Sequence, residues 1–171
     1  MPRLAVFAEY PTIEKVAAAF AAAALLIAFM ISRPGAPSGD QEVAASHIRS
    51  LMANHLMDVI STDQHTVKPW FDGKLDFAPP VRDLAEQGYP LAGGRLDYIE
   101  NRTVAVMVYH RALHTINLYV WPASDGGVSS VHEQTFQGYN VLSWKKDGFE
   151  FRAVSDLNTG ELSDFARLIS Q

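Results

Sequence analysis

The residues best suited by type and spacing to do chemistry lie at 63–81, "DQHTVKPWFDGKLDFAPPV". Asp63, His65, Lys68, Asp72, Lys74 and Asp76 crowd around Trp70 and Phe71. Such a set suits acid–base work, metal ligation, or recognition by aromatic anchors with a charged rim. Acid–base work needs a carboxylate perturbed in a pocket, whereas these aspartates stand beside turn formers. Asp72-Gly73 reads as a turn, and Pro79-Pro80 keeps the chain extended. Val67, Trp70, Phe71, Leu75 and Phe77 are the side chains expected to pack. The stretch therefore reads as a long ordered loop folding its aromatics against a sheet, with no catalytic residue in it. Neighbours in extended chain point to opposite faces, so one of Trp70 and Phe71 is expected in the core and the other at the surface. Lys68, Trp70, Phe71 and Lys74 are the expected partner-binding residues, the lysines acting as rim charges that steer contact.

The six histidines are the next candidates. His47 and His55 are separated on one predicted helix by ~12 Å of rise, too far to share a metal. His110 and His114 flank a predicted turn and approach each other across a hairpin, but a site needs further ligands and outer support. No HExxH or similar spacing occurs, and no metal or cofactor is expected. Cysteine is absent, which excludes thiolate zinc sites, thiol nucleophiles and disulfides. There is no G-x-S-x-G elbow, and a Ser/His/Asp triad assembled on paper means nothing without geometry. Gly93-Gly94 precedes a strand rather than opening a helix, so it reads as a bulge or close backbone approach, not a phosphate loop. With 14 basic and 19 acidic residues, a net charge of −5 and no basic stripe, nucleic acid is not an expected partner.

The elements that must position these residues follow from periodicity. Residues 42–60 place apolar side chains at Ala44, Ile48, Leu51, Met52, Leu56 and Val59, one helical stripe suited to covering a sheet. From residue 89 onward five runs alternate apolar and polar residues or are rich in β-branched and aromatic ones: 89–100, 102–111, 114–122, 139–146 and 149–156. Asp147-Gly148 is a type I′ hairpin signal, with Glu100-Asn101 and Arg111-Ala112 as further turns. Connections this short exclude crossover helices, so the sheet is mostly antiparallel. Residues 123–137 read as a polar loop. Asn158 and Glu161 have capping-box spacing ahead of an apolar stripe at Leu162, Phe165, Ala166 and Ile169. The expected fold is α+β, a mostly antiparallel sheet domain with flanking helices over residues 42–171.

Before that domain, residues 16–31, "VAAAFAAAALLIAFMI", carry no charge. With their flanks they approach the ~20 residues that cross a bilayer. A single transmembrane helix at 15–33 is expected, after a short cytoplasmic tail at 1–14 and before a Pro/Gly linker at 34–41. Arg3 and Lys15 before the run, against Arg33 just after it, favour a cytoplasmic N-terminus. A cleaved signal peptide and a buried helix are the alternative readings of the same run.

Residues 46–169 resemble the extracytoplasmic half of the proteobacterial membrane-spanning anti-sigma factors, a family also labelled transmembrane transcriptional regulators. The resemblance rests on "DQHTVKPWF", "GKLDF", "GGRLDY", "INL", "WP" and "AVSDLN". It implies a membrane-anchored periplasmic sensory or binding domain in the bacterial inner membrane, non-catalytic, with a sigma factor as the partner. Members also resemble one another in a cytoplasmic helical part, often with a His-x3-Cys-x2-Cys zinc motif; residues 1–14 contain neither His nor Cys. The alternative is a single-pass accessory subunit stabilising an inner-membrane respiratory or photosynthetic complex, its Ala-rich helix packed against partner helices. Both readings put the lipid bilayer and other membrane proteins among its partners.

Overall fold

The computed structural model describes residues 12–31, 38–52 and 55–171. In chain order the elements are α1 (Ile13–Ile31), α2 (Gly39–Met52), β1 (Val59–Ile60), α3 (Gln64–Trp70), β2 (Leu91–Ile99), β3 (Arg102–Arg111), β4 (His114–Pro122), β5 (His132–Phe136), β6 (Tyr139–Lys146), β7 (Phe149–Ser155) and α4 (Thr159–Ile169), with a 3₁₀ turn at Ala85–Gln87. The chain divides into two compact units, Met1–Ala36 and Pro37–Gln171.

In the first unit, α1 has Glu14 and Lys15 in its opening turn and is uncharged from Val16 to Ile31. That uncharged part rises ~24 Å, short of the ~30 Å hydrocarbon core of a bilayer. Among the described residues no helix is long and apolar enough to cross a membrane. The expected transmembrane helix at 15–33 is thus not met by any described helix. Residues 32–37, including the first part of the expected linker, and residues 1–11 of the expected tail lie outside the described residues.

The second unit is built on one antiparallel sheet in the order β1-β2-β3-β4-β7-β6-β5. Tight turns set its register. Glu100-Asn101, Gln137-Gly138 and Asp147-Gly148 each place two successive residues at positive φ, the type I′ geometry whose twist matches that of paired strands. Between β3 and β4 the turn falls one residue later than expected, at Ala112-Leu113, with Ala112 at φ 52°.

Both faces of the sheet are covered. Ala105, Met107, Tyr109, Ile116, Leu118, Val120, Leu142, Trp144, Phe151 and Ala153 pack under α4, α3 and the 71–89 segment. Val104, Val106, Tyr119, Trp121, Val141 and Val154 face α2. Burial on both sides explains why β3 and β4 read as nearly continuous apolar runs rather than clean alternation. On α4 the expected stripe is the buried one: Leu162, Phe165, Ala166 and Ile169. Its cap is the expected reciprocal pair, with Glu161 N–H donating to Asn158 Oδ1 at 3.0 Å and Asn158 Nδ2 to Glu161 Oε2 at 2.6 Å.

Three expectations are corrected. The helix expected over 42–60 starts earlier, at Gly39, so residues 39–41 are helix rather than linker; it runs to Met52, and Val59–Ile60 form an edge strand on β2. Residues 132–136, expected as loop, form β5, because their pairing with β6 is set by the Gln137-Gly138 turn and not by any apolar pattern of their own. Residues 64–70, expected as extended loop, are α3.

Candidate functional site

The 63–81 segment owes its helix to Asp63. Its carboxylate accepts from the His65 N–H at 2.8 Å and so caps a turn whose first amides lack helical partners. Pro69 sits in the last turn, and Phe71 closes the helix. Phe71 is fully buried and Trp70 half-buried, their rings edge to face at 5.2 Å. The expected division between core and surface therefore holds, but through a helix end and not through strand alternation. Space for the Phe71 ring comes from Gly94, where a Cβ would lie 2.9 Å from Phe71 Cζ. At Gly93 a Cβ would lie 2.1 Å from the Val59 carbonyl oxygen, so the close approach expected of Gly93-Gly94 is present on both sides.

The two lysines differ. Lys74 Nζ donates to the Trp70 carbonyl at 3.0 Å and lies 4.6 Å from the Trp70 ring centre. Lys68 is exposed beside a cleft of ≈ 260 Å³ with Gln64, His65, Pro69 and Val81. The structure thus brings Trp70, Phe71 and Lys74 together and sets Lys68 on another side of the same helix.

A second constellation, not anticipated from the sequence, lies under α2. The helix turns Ser46, His47 and Ser50 inward, and all three are buried. They meet Arg95 and Asp97 of β2 and Asn117 and Tyr119 of β4. Arg95 is 2 % exposed. Its Nη2 donates to Asp97 Oδ2 at 3.2 Å and to Tyr119 Oη at 3.0 Å, and its Nη1 donates to the Leu56 carbonyl at 3.2 Å. Tyr119 Oη donates to Ser46 Oγ at 2.9 Å, and Ser46 Oγ donates to Asp97 Oδ2. With its amide oxygen turned to the cluster, Asn117 accepts from His47 Nδ1 at 3.0 Å and from Arg95 Nη1 at 3.3 Å. These bonds keep a buried guanidinium tolerable, since a buried charge is costly unless paired and hydrogen-bonded.

His47 is the exception in that network. Its Nε2 has no hydrogen-bond partner among the described residues, and its ring meets Tyr139 edge on at 5.0 Å. Burial, then the neighbouring Arg95 charge, lower its pKa to about 4, with Asp156 opposing. His47 is therefore neutral near pH 7. Burial also raises the Tyr119 hydroxyl, against the opposing pull of Arg95. The arrangement holds protons in place; it does not poise one for transfer at neutral pH.

The first turn of α2 is tied down separately. Arg152 is 8 % exposed and reaches Asp40 at 3.1 Å, Glu100 at 3.2 Å and Glu150 at 2.8 Å. Its guanidinium stacks 4.8 Å from the Trp121 ring centre.

The remaining candidates are dispersed. His114 Nδ1 pairs with Asp156 at 2.9 Å, while His110 lies opposite Thr115. His55 sits 3.5 Å from Asp58. Among the described residues no group of three or more His, Asp or Glu is placed to hold a metal ion. The signal that would have found the α2 cluster is the helical spacing of Ser46, His47 and Ser50 with Val43, which puts these polar residues on the same covered side as an apolar one. No family model, no characterised protein and no solved structure matches this chain.

Proposed function

We propose that this chain is a non-catalytic binding protein, held at the bacterial inner membrane with residues 42–171 on the periplasmic side, whose domain docks on another membrane protein. The family resemblance makes it the sensory half of an anti-sigma-type regulator. The observation that carries the docking reading is the exposed apolar end of α2. A helix covering a sheet ordinarily turns its apolar stripe inward. α2 buries Val43 and Ala44 together with Ser46, His47 and Ser50, but leaves Leu51 39 % and Met52 80 % exposed at its end. Outward apolar surface gains free energy when another surface removes it from water.

A second reading, the accessory subunit of an inner-membrane complex, is favoured by α1. Seven of its residues from Ala17 to Ala24 are alanine, and small side chains let helices approach closely. Its Phe20, Leu25 and Leu26 are exposed and suit lipid or partner helices as their surroundings.

The test is size fractionation after mild-detergent solubilisation, comparing the native chain with a Leu51→Ser/Met52→Ser variant of equal thermal stability. Docking predicts co-migration of the native chain with an integral-membrane protein and its loss in the variant. A stable stoichiometric complex selects the subunit reading, and recovery with a sigma factor selects the regulator. Equal co-migration of both chains, or migration of the native chain alone, rejects docking through α2.

A further inference from the structure

We propose that the free edge of β5, with the groove between it and α2, takes an extended segment of the docking partner as a further antiparallel strand, which sets an apolar side chain in the groove and a basic one across from Glu133. β5 ends the sheet order β1-β2-β3-β4-β7-β6-β5, so one side of it pairs with β6 and the other with no strand. The Gln137-Gly138 turn fixes which backbone groups face out. Phe136 and Tyr139 close this two-residue hairpin as a pair that exchanges both backbone bonds, and every second pair along an antiparallel ladder does the same. Phe136, Gln134 and His132 thus turn their backbone groups to β6, while Thr135 and Glu133 turn theirs outward. Neither outward residue has another backbone partner among the described residues. Two donors and two acceptors in line are a template for one more strand. β5 has no Lys and no Pro, and its five pairs with β6 run without a shift, so it carries none of those guards of an open edge.

The groove gives such a strand a side-chain contact. Gln41, Ala44, Ala45 and Ile48 recur at helical spacing on one side of α2 and meet Thr135 and Phe136 around a volume of ≈ 510 Å³. No charged residue lines it. Phe136 packs on the α2 face of the sheet. Thr135 alternates to the other face, where its Oγ1 donates to Asn140 Oδ1 at 2.7 Å, so a groove that includes Thr135 reaches round to the open edge. In an added antiparallel strand, the residue across from Phe136 points to the α2 face and into the groove. The residue three places further on lies across from Glu133 on the other face. An apolar side chain at the first position leaves water on binding.

Charge decides between occupants. Glu133 is exposed and is the one carboxylate of β5. Opposite charges across a strand pair are favourable and like charges are not. Two copies paired about Gln134, each Glu133 meeting Thr135 of the other copy, would bring the two Glu133 residues to diagonal positions ~7–8 Å apart on one face. Each copy also carries −5. A second copy is therefore disfavoured, and a partner segment with Lys or Arg at that position is favoured. That the occupant is a protein rests on the docking reading above; the form of the contact is new, an extended chain with an apolar residue and, three residues later, a basic one.

The test is fluorescence anisotropy of a labelled synthetic peptide, Thr-Thr-Leu-Thr-Thr-Arg-Thr-Thr, titrated with the full chain in mild detergent. The site predicts saturable one-to-one binding. Replacing the peptide's Leu by Asp, or Ala45→Glu in the chain, should weaken it by about tenfold or more, the share that burial of one leucine carries. Glu133→Arg should weaken it by about threefold or more. A peptide with Glu in place of Arg should recover that loss on the Glu133→Arg chain, a reciprocity that a merely adhesive surface does not give. Ala45 and Glu133 are exposed, so neither substitution should move the unfolding midpoint. Absence of saturable binding, or binding indifferent to Ala45→Glu and to the charge exchange, overturns the proposal. So does a peptide-free chain that sediments as a dimer and is dissociated by the peptide, which assigns the edge to a second copy. Purified chain and synthetic peptide are the only components, so a negative titration strikes this contact and leaves docking through Leu51 and Met52 to its own co-migration test.

Discussion

Removing the Phe71 ring tests how the 63–81 segment is fastened to the sheet. Phe71 is fully buried, and truncating a buried Phe to Ala costs ~3–5 kcal/mol. The folded unit Pro37–Gln171 lies between the size classes in which 1 kcal/mol moves the midpoint by about 2–4 °C and about 4–8 °C. At ~4 °C per kcal/mol, Phe71→Ala should lower the unfolding midpoint by ~12–20 °C. Gly94→Ala approaches the same contact from the other side. Its Cβ would lie 2.9 Å from Phe71 Cζ and 3.2 Å from the Val106 carbonyl oxygen. Overpacking of that kind costs ~1–3 kcal/mol. With the ring gone, the methyl group enters vacated space and only the carbonyl must give. The double mutant should therefore be less destabilised than the sum of the singles by ~1 kcal/mol or more, a coupling expected only of residues in contact. Thermal and urea unfolding followed by circular dichroism would measure all four chains. A Phe71→Ala cost under ~1 kcal/mol, or strict additivity with Gly94→Ala, would refute the fastening.

Two further outcomes follow from charge. His47 titrates near 4 when folded against an ordinary 6.5, so between these values the unfolded chain binds more protons and stability rises with pH. The contribution, on the order of 3 kcal/mol at 1.36 kcal/mol per pKa unit, is present in full above about pH 6.5 and is lost as pH falls toward 4; His47→Asn should flatten the urea midpoint across that window, and an unchanged slope would count against burial of a neutral imidazole. Lys68→Ala should change stability by less than ~0.5 kcal/mol, and Lys74→Ala by up to ~1 kcal/mol because it also loses the contact over Trp70. A larger stability loss for Lys68→Ala than for Lys74→Ala would contradict the placement of the two side chains.

The sheet and its final helix were legible because local and global signals agree there. Asp147-Gly148 and Glu100-Asn101 carry hairpin chemistry in two residues, and Asn158 with Glu161 carries a helix start in four. β5 was not legible, since "HEQTF" has one large apolar residue and is a strand only because a turn returns it to β6. α3 was missed for a related reason. Asp63 announces a cap, but Pro69 and the Asp72-Gly73 turn follow so closely that the short helix between them leaves little periodic pattern.

α2 failed differently, and its failure bears on function. Its period was read correctly and its buried side only in part: Ala44 is covered as expected, whereas Leu51 and Met52 are exposed. The side that is covered carries Ser46, His47 and Ser50 beside Val43 and Ala44, and the sheet beneath answers with Arg95, Asn117 and Tyr119 beside Val104, Val106 and Val154. Packing alone would favour the reverse arrangement, since an apolar contact of the same area needs no partner for each polar atom. A polar seam in that position fixes where the helix sits through directional bonds, and it releases apolar residues to the outer side. The same rotation that hides the polar residues places Leu51 and Met52 in the open. The helix thus carries a candidate partner contact on its open side, with a buried hydrogen-bond network fixing it to the sheet.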